Sequence, residues 1–76
     1  MERLKHIFAS ILNIPKETIV DSISPQNTPS WDSLNAIIIL TEIEKEFSVK
    51  FGYDEAMAVK NFADAVVLLR SKGIDL

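Results

Sequence analysis

The change from loop to helix is set by one stretch, Thr28-Pro29-Ser30-Trp31-Asp32-Ser33-Leu34. Pro29 ends any helix before it, because its ring clashes with a preceding helical turn. Asp and Ser start helices, since their side-chain oxygens accept hydrogen bonds from unpaired first-turn amides. The pattern therefore predicts that Ser33 lies exposed at the N-terminal tip of a helix. The helix dipole there is positive, which suits a hydroxyl that carries a phosphate.

The helix that begins at this point is predicted to span residues 33–47. A turn of about 100° per residue places Ile37 at the edge of its apolar face. The centre of that face comprises Ala36, Ile39, Leu40, Ile43 and Phe47. Leu34 and Ile38 lie outside it, one turn apart and next to Ser33. They either pack under the loop or a neighbouring helix, or form a small apolar docking patch surrounded by acids.

The N-terminal half is predicted to contain one helix, residues 2–13, and a long loop, residues 14–32. Helical spacing brings five apolar side chains of the first segment together: Leu4, Ile7, Phe8, Ile11 and Leu12. We expect four branched side chains to attach the loop to the core, with a short turn near residues 17–20: Ile14, Ile19, Val20 and Ile23. The loop contains a second Asp-Ser pair at Ser22. Pro25 follows closely and disfavours helical geometry before it, so Ser33 and not Ser22 should open a helix.

The C-terminal half is predicted to contain a short helical turn and a last helix. The turn covers residues 54–58, with Met57 or Val59 pointing inward. Asn61 is predicted to cap the last helix, with Asp64 in the reciprocal capping position, and Gly73 to end it. The core face of this helix comprises Phe62, Ala65, Val66 and Leu69.

Length and composition favour one small helical domain. The chain has 76 residues, 47% of them hydrophobic, and only two glycines. This length supports one domain, residues 1–76, with a single core. Together with the helical spacing, it predicts an all-α fold. We expect a small antiparallel four-helix bundle with three longer helices, a short third helix and a long loop between the first and second.

Several kinds of site are excluded by the residues present. The chain has no cysteine, no Gly-rich phosphate loop and a single histidine, His6, without a partner at ligand spacing. We therefore expect no metal site and no enzymatic activity. No segment has the length of a membrane span and the first residues lack an apolar signal core, so we expect a cytoplasmic monomer without a membrane partner.

The charge is concentrated in the middle of the chain. The formal net charge is −3, and residues 32–55 contain six acidic and two basic side chains. Such a segment repels the phosphates of nucleic acid and is suited either to basic protein partners or simply to solvent. We therefore expect no nucleic-acid partner.

The tripeptide Asp32-Ser33-Leu34, followed by an apolar helix and an acidic run that ends at Phe47, resembles the acyl carrier protein family. The resemblance covers nearly the whole chain, because the order of helices and the long loop also match. It implies that Ser33 carries 4′-phosphopantetheine, transferred from coenzyme A by a magnesium-dependent phosphopantetheinyl transferase, with Asp32 and Leu34 completing the attachment site. The thiol of this arm holds an acyl group as a thioester for acyl-loading, acyl-transfer or ketosynthase-type enzymes.

Departures from the family pattern lie around this tripeptide. Ser30 replaces a common glycine, Ile38 replaces a common glutamate and Thr41 replaces a common methionine. These changes favour a specialised lipid, polysaccharide or natural-product pathway. Trp31 either anchors the loop end or contacts partners. The partner surface is predicted to comprise Trp31, Leu34, Asn35, Ile38 and Glu42.

Two alternatives to an acyl carrier remain open. In the first alternative, the chain is a carrier whose cargo is an aminoacyl or peptidyl group. In the second, the chain is an interaction module that uses Leu34 and Ile38 without a cofactor. A sheltered cargo should lie between the second and third helices and be short. The side chains expected to fill that space are Ile39, Leu40, Ile43 and Phe47.

Overall fold

The computed structural model describes residues 1–76 and is all-α, as the sequence predicts. Its helices are α1 (Glu2–Leu12), α2 (Ser33–Phe47), α3 (Tyr53–Met57) and α4 (Phe62–Ser71). One turn of 3-10 helix, Lys16–Thr18, interrupts the long loop between α1 and α2. The structure has no strand, and none of its helices has the length and apolar character needed to span a bilayer.

The core is one cluster of buried apolar side chains, to which every long helix contributes. The predicted faces of α1 and α4 are confirmed, except that Ile11 is only partly buried. In α2 only Ile39 and Ile43 are fully covered. The expectation that Ile37 borders the core is wrong, because 64% of this residue is exposed. The apolar face of α2 is thus wider than the surface that its neighbours cover.

Phe8 of α1 links the loop end and α4 at the centre of this cluster. Its ring meets Trp31 edge-on at 5.3 Å and Phe62 at 4.9 Å between centroids. Ile19 and Ile23 also bring the loop into the core, as predicted. Val20 does not, since it is 52% exposed. The backbone at Ile19 is extended, and successive side chains of an extended segment point in opposite directions.

The loop also completes the N-terminus of α4. The carbonyls of Asp21 and Ile23 each accept a hydrogen bond, at 3.1 Å, from a first-turn amide of this helix. Asn61 is the predicted N-cap, and its side chain accepts from the amide of Asp64 at 2.7 Å. The Asp64 carboxylate accepts from the amide of Lys60, not from Asn61, so the reciprocal half of the predicted capping pair is shifted by one residue. These contacts provide hydrogen-bond acceptors for the first-turn amides of α4, which have none within the helix.

Two glutamates hold the short helix α3 in place. The Glu55 carboxylate accepts from the Gly52 amide and from Lys72, both at 2.8 Å. Glu44 of α2 accepts from the amide of Phe51 at 2.8 Å. A five-residue helix is too short to be stable alone, so these bonds and the partly buried Val59 fix its position. Of the two side chains predicted to point inward, Val59 packs against the core, whereas Met57 is 60% exposed.

The Glu55 pair makes the stability of the fold depend on pH. The hydrogen bond from Lys72, and then that from the Gly52 amide, lower the pKa of Glu55 below its usual range. The ionised carboxylate therefore stabilises the fold above the ordinary glutamate pKa of about 4.3. This contribution disappears as pH falls through the lower folded-state value. We expect Glu55→Gln to lower the urea midpoint slightly at neutral pH and not in acid.

The control for this measurement is Asp54→Asn, which changes an exposed acid in the same short helix. Urea unfolding followed over a range of pH compares each variant with the unaltered protein. A difference between Glu55→Gln and the unaltered protein that persists in acid would assign the effect to packing and not to the ion pair.

Candidate functional site

Ser33 is the first residue of α2 and is exposed, as the sequence predicts. The N-cap is Asp32, whose Oδ1 accepts from the Asn35 amide at 2.8 Å. The Ser33 hydroxyl makes no hydrogen bond within the chain, because Asp32 does the capping. The amides of Ser33 and Leu34 have no acceptor in the protein either. The helix tip thus offers a free hydroxyl beside two free N–H donors.

The similar pair at Ser22 has none of this geometry. Asp21 and Ser22 lie in a turn, and the following Ile23 is buried. The Ser22 carbonyl accepts from Asn27 Nδ2 at 2.9 Å, which fixes the turn. The prediction that Ser33 and not Ser22 opens a helix is confirmed.

Trp31 anchors the loop and does not form part of an accessible surface. It is 4% exposed and packs against Phe8. The prediction that Trp31 contacts partners is therefore wrong, since burial against α1 leaves little of its ring within reach. Asn35 is half-buried, and its Nδ2 donates to the Ser30 carbonyl at 2.8 Å. Both side chains fix the loop end immediately before Ser33.

Three branched apolar side chains beside Ser33 are exposed to solvent, two of them largely and one in part. Leu34 is 66% exposed, Ile37 64% and Ile38 38%. We call these three residues the apolar patch. The interpretation that Leu34 packs under the loop or a neighbouring helix is wrong, whereas Ile38 is partly covered. Ile37 belongs to the patch and was missed, although its i, i+3 spacing from Leu34 is a signal that could have found it.

The glutamates of α2 are all engaged within the chain. Glu42 Oε1 lies 3.7 Å from Lys45 Nζ, and Glu46 Oε2 lies 2.7 Å from Arg3 Nε. Glu44 holds the Phe51 amide, as described above. The predicted ring of acids therefore consists of side chains that already have partners in the fold.

A small open cleft lies between α2 and α3, with a volume of about 210 Å³. The residues that line it are Ile37, Leu40, Thr41, Glu44, Phe51 and Ala56. Leu40 was predicted here, whereas Ile39 and Ile43 are buried in the core and Phe47 packs beside Arg3. A larger surface cavity, about 490 Å³, lies elsewhere and is bordered by Ser22. No group of acidic or histidine side chains is arranged to hold a metal ion.

The Asp32 cap predicts a measurable stability effect. Asp32→Ala removes the acceptor of the Asn35 amide, and loss of an N-cap costs about 0.5–2 kcal/mol. Asp21→Ala is the matched control, because it alters the Asp of the other Asp-Ser pair, which lies outside any helix. Its effect should stay within about 0.5 kcal/mol. Urea unfolding measures both, and equal losses would show that the cap does not stabilise α2.

Comparison with known proteins identifies the family. No protein-family model matches the chain. Acyl carrier protein 3 of Ralstonia nicotianae is 32% identical over 71 residues, covering 93% of this chain and 82% of that protein. An acyl carrier protein of Brachyspira hyodysenteriae is 32% identical over 66 residues, covering 86% and 85%. One from Thermosynechococcus vestitus is 28% identical over 72 residues, covering 95% and 89%. With this identity over most of both chains, the chain belongs to the acyl carrier protein family.

Proposed function

We propose that Ser33 is the attachment site of 4′-phosphopantetheine and that the chain carries thioester-bound acyl groups between partner enzymes. The observation that supports this most directly is the free, exposed hydroxyl of Ser33 at the tip of α2. Membership of the acyl carrier protein family agrees with a carrier role.

The residues around Ser33 fit a phosphodiester. The unpaired amides of Ser33 and Leu34 are donors for phosphate oxygens. The positive end of the α2 dipole favours an anion by about 0.3–1 kcal/mol at an exposed site. Asp32 directs one carboxylate oxygen at the Asn35 amide, and this capping bond fixes the direction in which α2 begins.

The transfer is a substitution at phosphorus. Ser33 Oγ forms the new bond to the phosphorus that bears pantetheine, the phosphoanhydride of coenzyme A breaks, and adenosine bisphosphate leaves with the electron pair. The hydroxyl proton passes to a base of the transferase. The chain's single histidine, His6, lies on α1, where its Nε2 is 3.5 Å from Ser10 Oγ. The bound arm supplies the thiol that this cysteine-free chain lacks.

The cleft between α2 and α3 supports a short cargo. Its volume of about 210 Å³ is below the range of about 300–1,000 Å³ that is usual for ligand pockets. A short acyl group agrees with a carrier that serves one dedicated pathway. The alternative cargo for such a carrier is an aminoacyl or peptidyl group.

The exposed Leu34 and Ile38 favour a second candidate function, a cofactor-free interaction module.

Intact-mass measurement distinguishes these functions. The purified protein is incubated with coenzyme A, Mg²⁺ and a broad-specificity phosphopantetheinyl transferase. We expect a gain of one phosphopantetheinyl group per chain. A mass that stays unchanged, together with a partner that binds the unmodified form, would replace the carrier role by the interaction module. Turnover of a substrate by the protein alone would contradict the absence of enzymatic activity.

A further inference from the structure

Asn35, the third residue of α2, links this helix to the loop that precedes Ser33. Its Nδ2 donates to the Ser30 carbonyl at 2.8 Å, and no other side chain of α2 forms a hydrogen bond with the loop between α1 and α2. The Ser30 carbonyl also accepts from the amide of Asp32 at 3.1 Å. Trp31, between these two residues, is 4% exposed. The backbone is thus held on each side of Trp31, immediately before the serine.

The side chain of Asn35 is not needed to begin the helix. Asp32 caps α2 by accepting from the backbone amide of Asn35, which every residue except proline supplies. Loss of the Asn35 side chain would therefore leave the cap in place and release the bond to Ser30. The hydrogen bond of this half-buried amide thus sets the position of the loop end relative to the tip of α2.

Ser33 lies inside the segment that these bonds close, since Asn35 binds Asp32 through its backbone and Ser30 through its side chain. The Ser33 hydroxyl makes no hydrogen bond within the chain, so its position depends on the backbone that bears it. An attacking group reacts fastest when it is already placed correctly, and an error of about 1 Å can cost about a hundredfold in rate. A fixed loop end therefore favours the transfer.

We infer that Asn35 is a positioning residue for phosphopantetheine transfer, because its bond to the Ser30 carbonyl fixes the backbone that presents the Ser33 hydroxyl. The inference rests on the proposed attachment at Ser33. It gives Asn35 a role within the carrier and not in the contact with the transferase, since the amide donor is already bonded inside the chain. Loss of the bond should lower the rate of transfer in the complex and leave the affinity for the transferase nearly unchanged.

Initial rates of transfer against carrier concentration separate these two effects. Asn35→Ala should lower kcat about tenfold, as expected for one lost hydrogen bond, and keep KM within about twofold. Asn35→Asp keeps the shape of the side chain, but its carboxylate only accepts at neutral pH, so the same loss is expected. The control is Asn61→Ala, which removes the amide that caps α4, outside the segment that contains Ser33. Its kcat should match that of the unaltered protein.

Fluorescence of Trp31, the single tryptophan, reports on the loop end in the unmodified protein. Asn35→Ala should increase the quenching of this fluorescence by acrylamide, because the backbone beside the ring is released. Asn61→Ala should leave the quenching unchanged. Unchanged quenching in Asn35→Ala would contradict the inference, since the loop end would then be held without this bond.

The kinetic outcomes are equally decisive. A raised KM with unchanged kcat would make Asn35 a contact for the transferase and overturn the inference. Equal losses of kcat in Asn35→Ala and Asn61→Ala, or a full kcat for Asn35→Asp, would also contradict it. If the unaltered protein gains no mass at all, the attachment proposal fails. The quenching measurement, which needs no modification, still tests the link between Asn35 and the loop in that case.

Discussion

Ser33→Ala is expected to abolish the gain of phosphopantetheine completely. The methyl group of alanine offers no oxygen to attack phosphorus, and no other hydroxyl residue opens a long helix at its N-terminus. Intact mass after incubation with the transferase and coenzyme A measures the result. Any residual addition to Ser33→Ala would show that a different residue is modified.

Ser22→Ala is the matched control, because it removes the hydroxyl of the other Asp-Ser pair. Ser22 lies in a turn that it joins through its backbone carbonyl and not through its hydroxyl, so the substitution should leave modification unchanged. Ser33→Ala should also leave the urea midpoint nearly unchanged, since the Ser33 hydroxyl makes no bond and Asp32 is the cap. Loss of modification with retained stability would localise the effect to the hydroxyl.

Phe8→Ala is expected to have the largest effect on stability. Phe8 is 0% exposed and contacts both Trp31 and Phe62 edge-on. Truncation of a buried phenylalanine costs about 3–5 kcal/mol. At about 0.05–0.15 kcal/mol per residue, the whole chain of 76 residues is stable by only about 4–11 kcal/mol. The substitution thus removes a large share of the total, and urea unfolding or far-ultraviolet circular dichroism measures the loss.

Tyr53→Ala is the control for Phe8→Ala, because it also removes an aromatic ring, but from a residue that is 79% exposed. Its free energy of unfolding should stay within about 0.5 kcal/mol of that of the unaltered protein. If both substitutions cost the same, the contacts of Phe8 with the loop and α4 would not be the source of stability. Phosphopantetheine transfer to the Phe8→Ala protein should also be slower. Without the Phe8 ring, Trp31 is no longer held in the core, and Trp31 fixes the loop end that precedes Ser33.

The helices and the exposed position of Ser33 were predictable because local rules determine them. An Asp-Ser pair after a proline begins a helix wherever the chain continues with helical periodicity, so the position of Ser33 follows from its neighbours in sequence. The buried faces of α1 and α4 follow from i, i+3, i+4 spacing in the same way. The Asn61 cap is equally local, and Gly73 ends α4 with a positive φ of 84°, which glycine adopts without strain.

Helical periodicity was less informative for α2, because it shows which residues share a face and not how much of that face is covered. Ile37 lies at the edge of the apolar arc and is exposed, since the neighbours of α2 cover only a narrower strip around Ile39 and Ile43. Trp31 could have been a surface residue or an anchor. Its burial depends on Phe8, which lies far away in sequence.

The sequence by itself therefore determined an all-α chain with an exposed serine at the start of its second helix. Only the tertiary structure decided which surface surrounds that serine. Glu46 is paired with Arg3, 43 positions away, and Glu44 with the Phe51 amide beyond the end of its own helix. Such pairs depend on how the chain folds back, which no local pattern encodes. The same folding leaves Leu34 and Ile37 as the most exposed apolar side chains beside Ser33, with Ile38 partly covered.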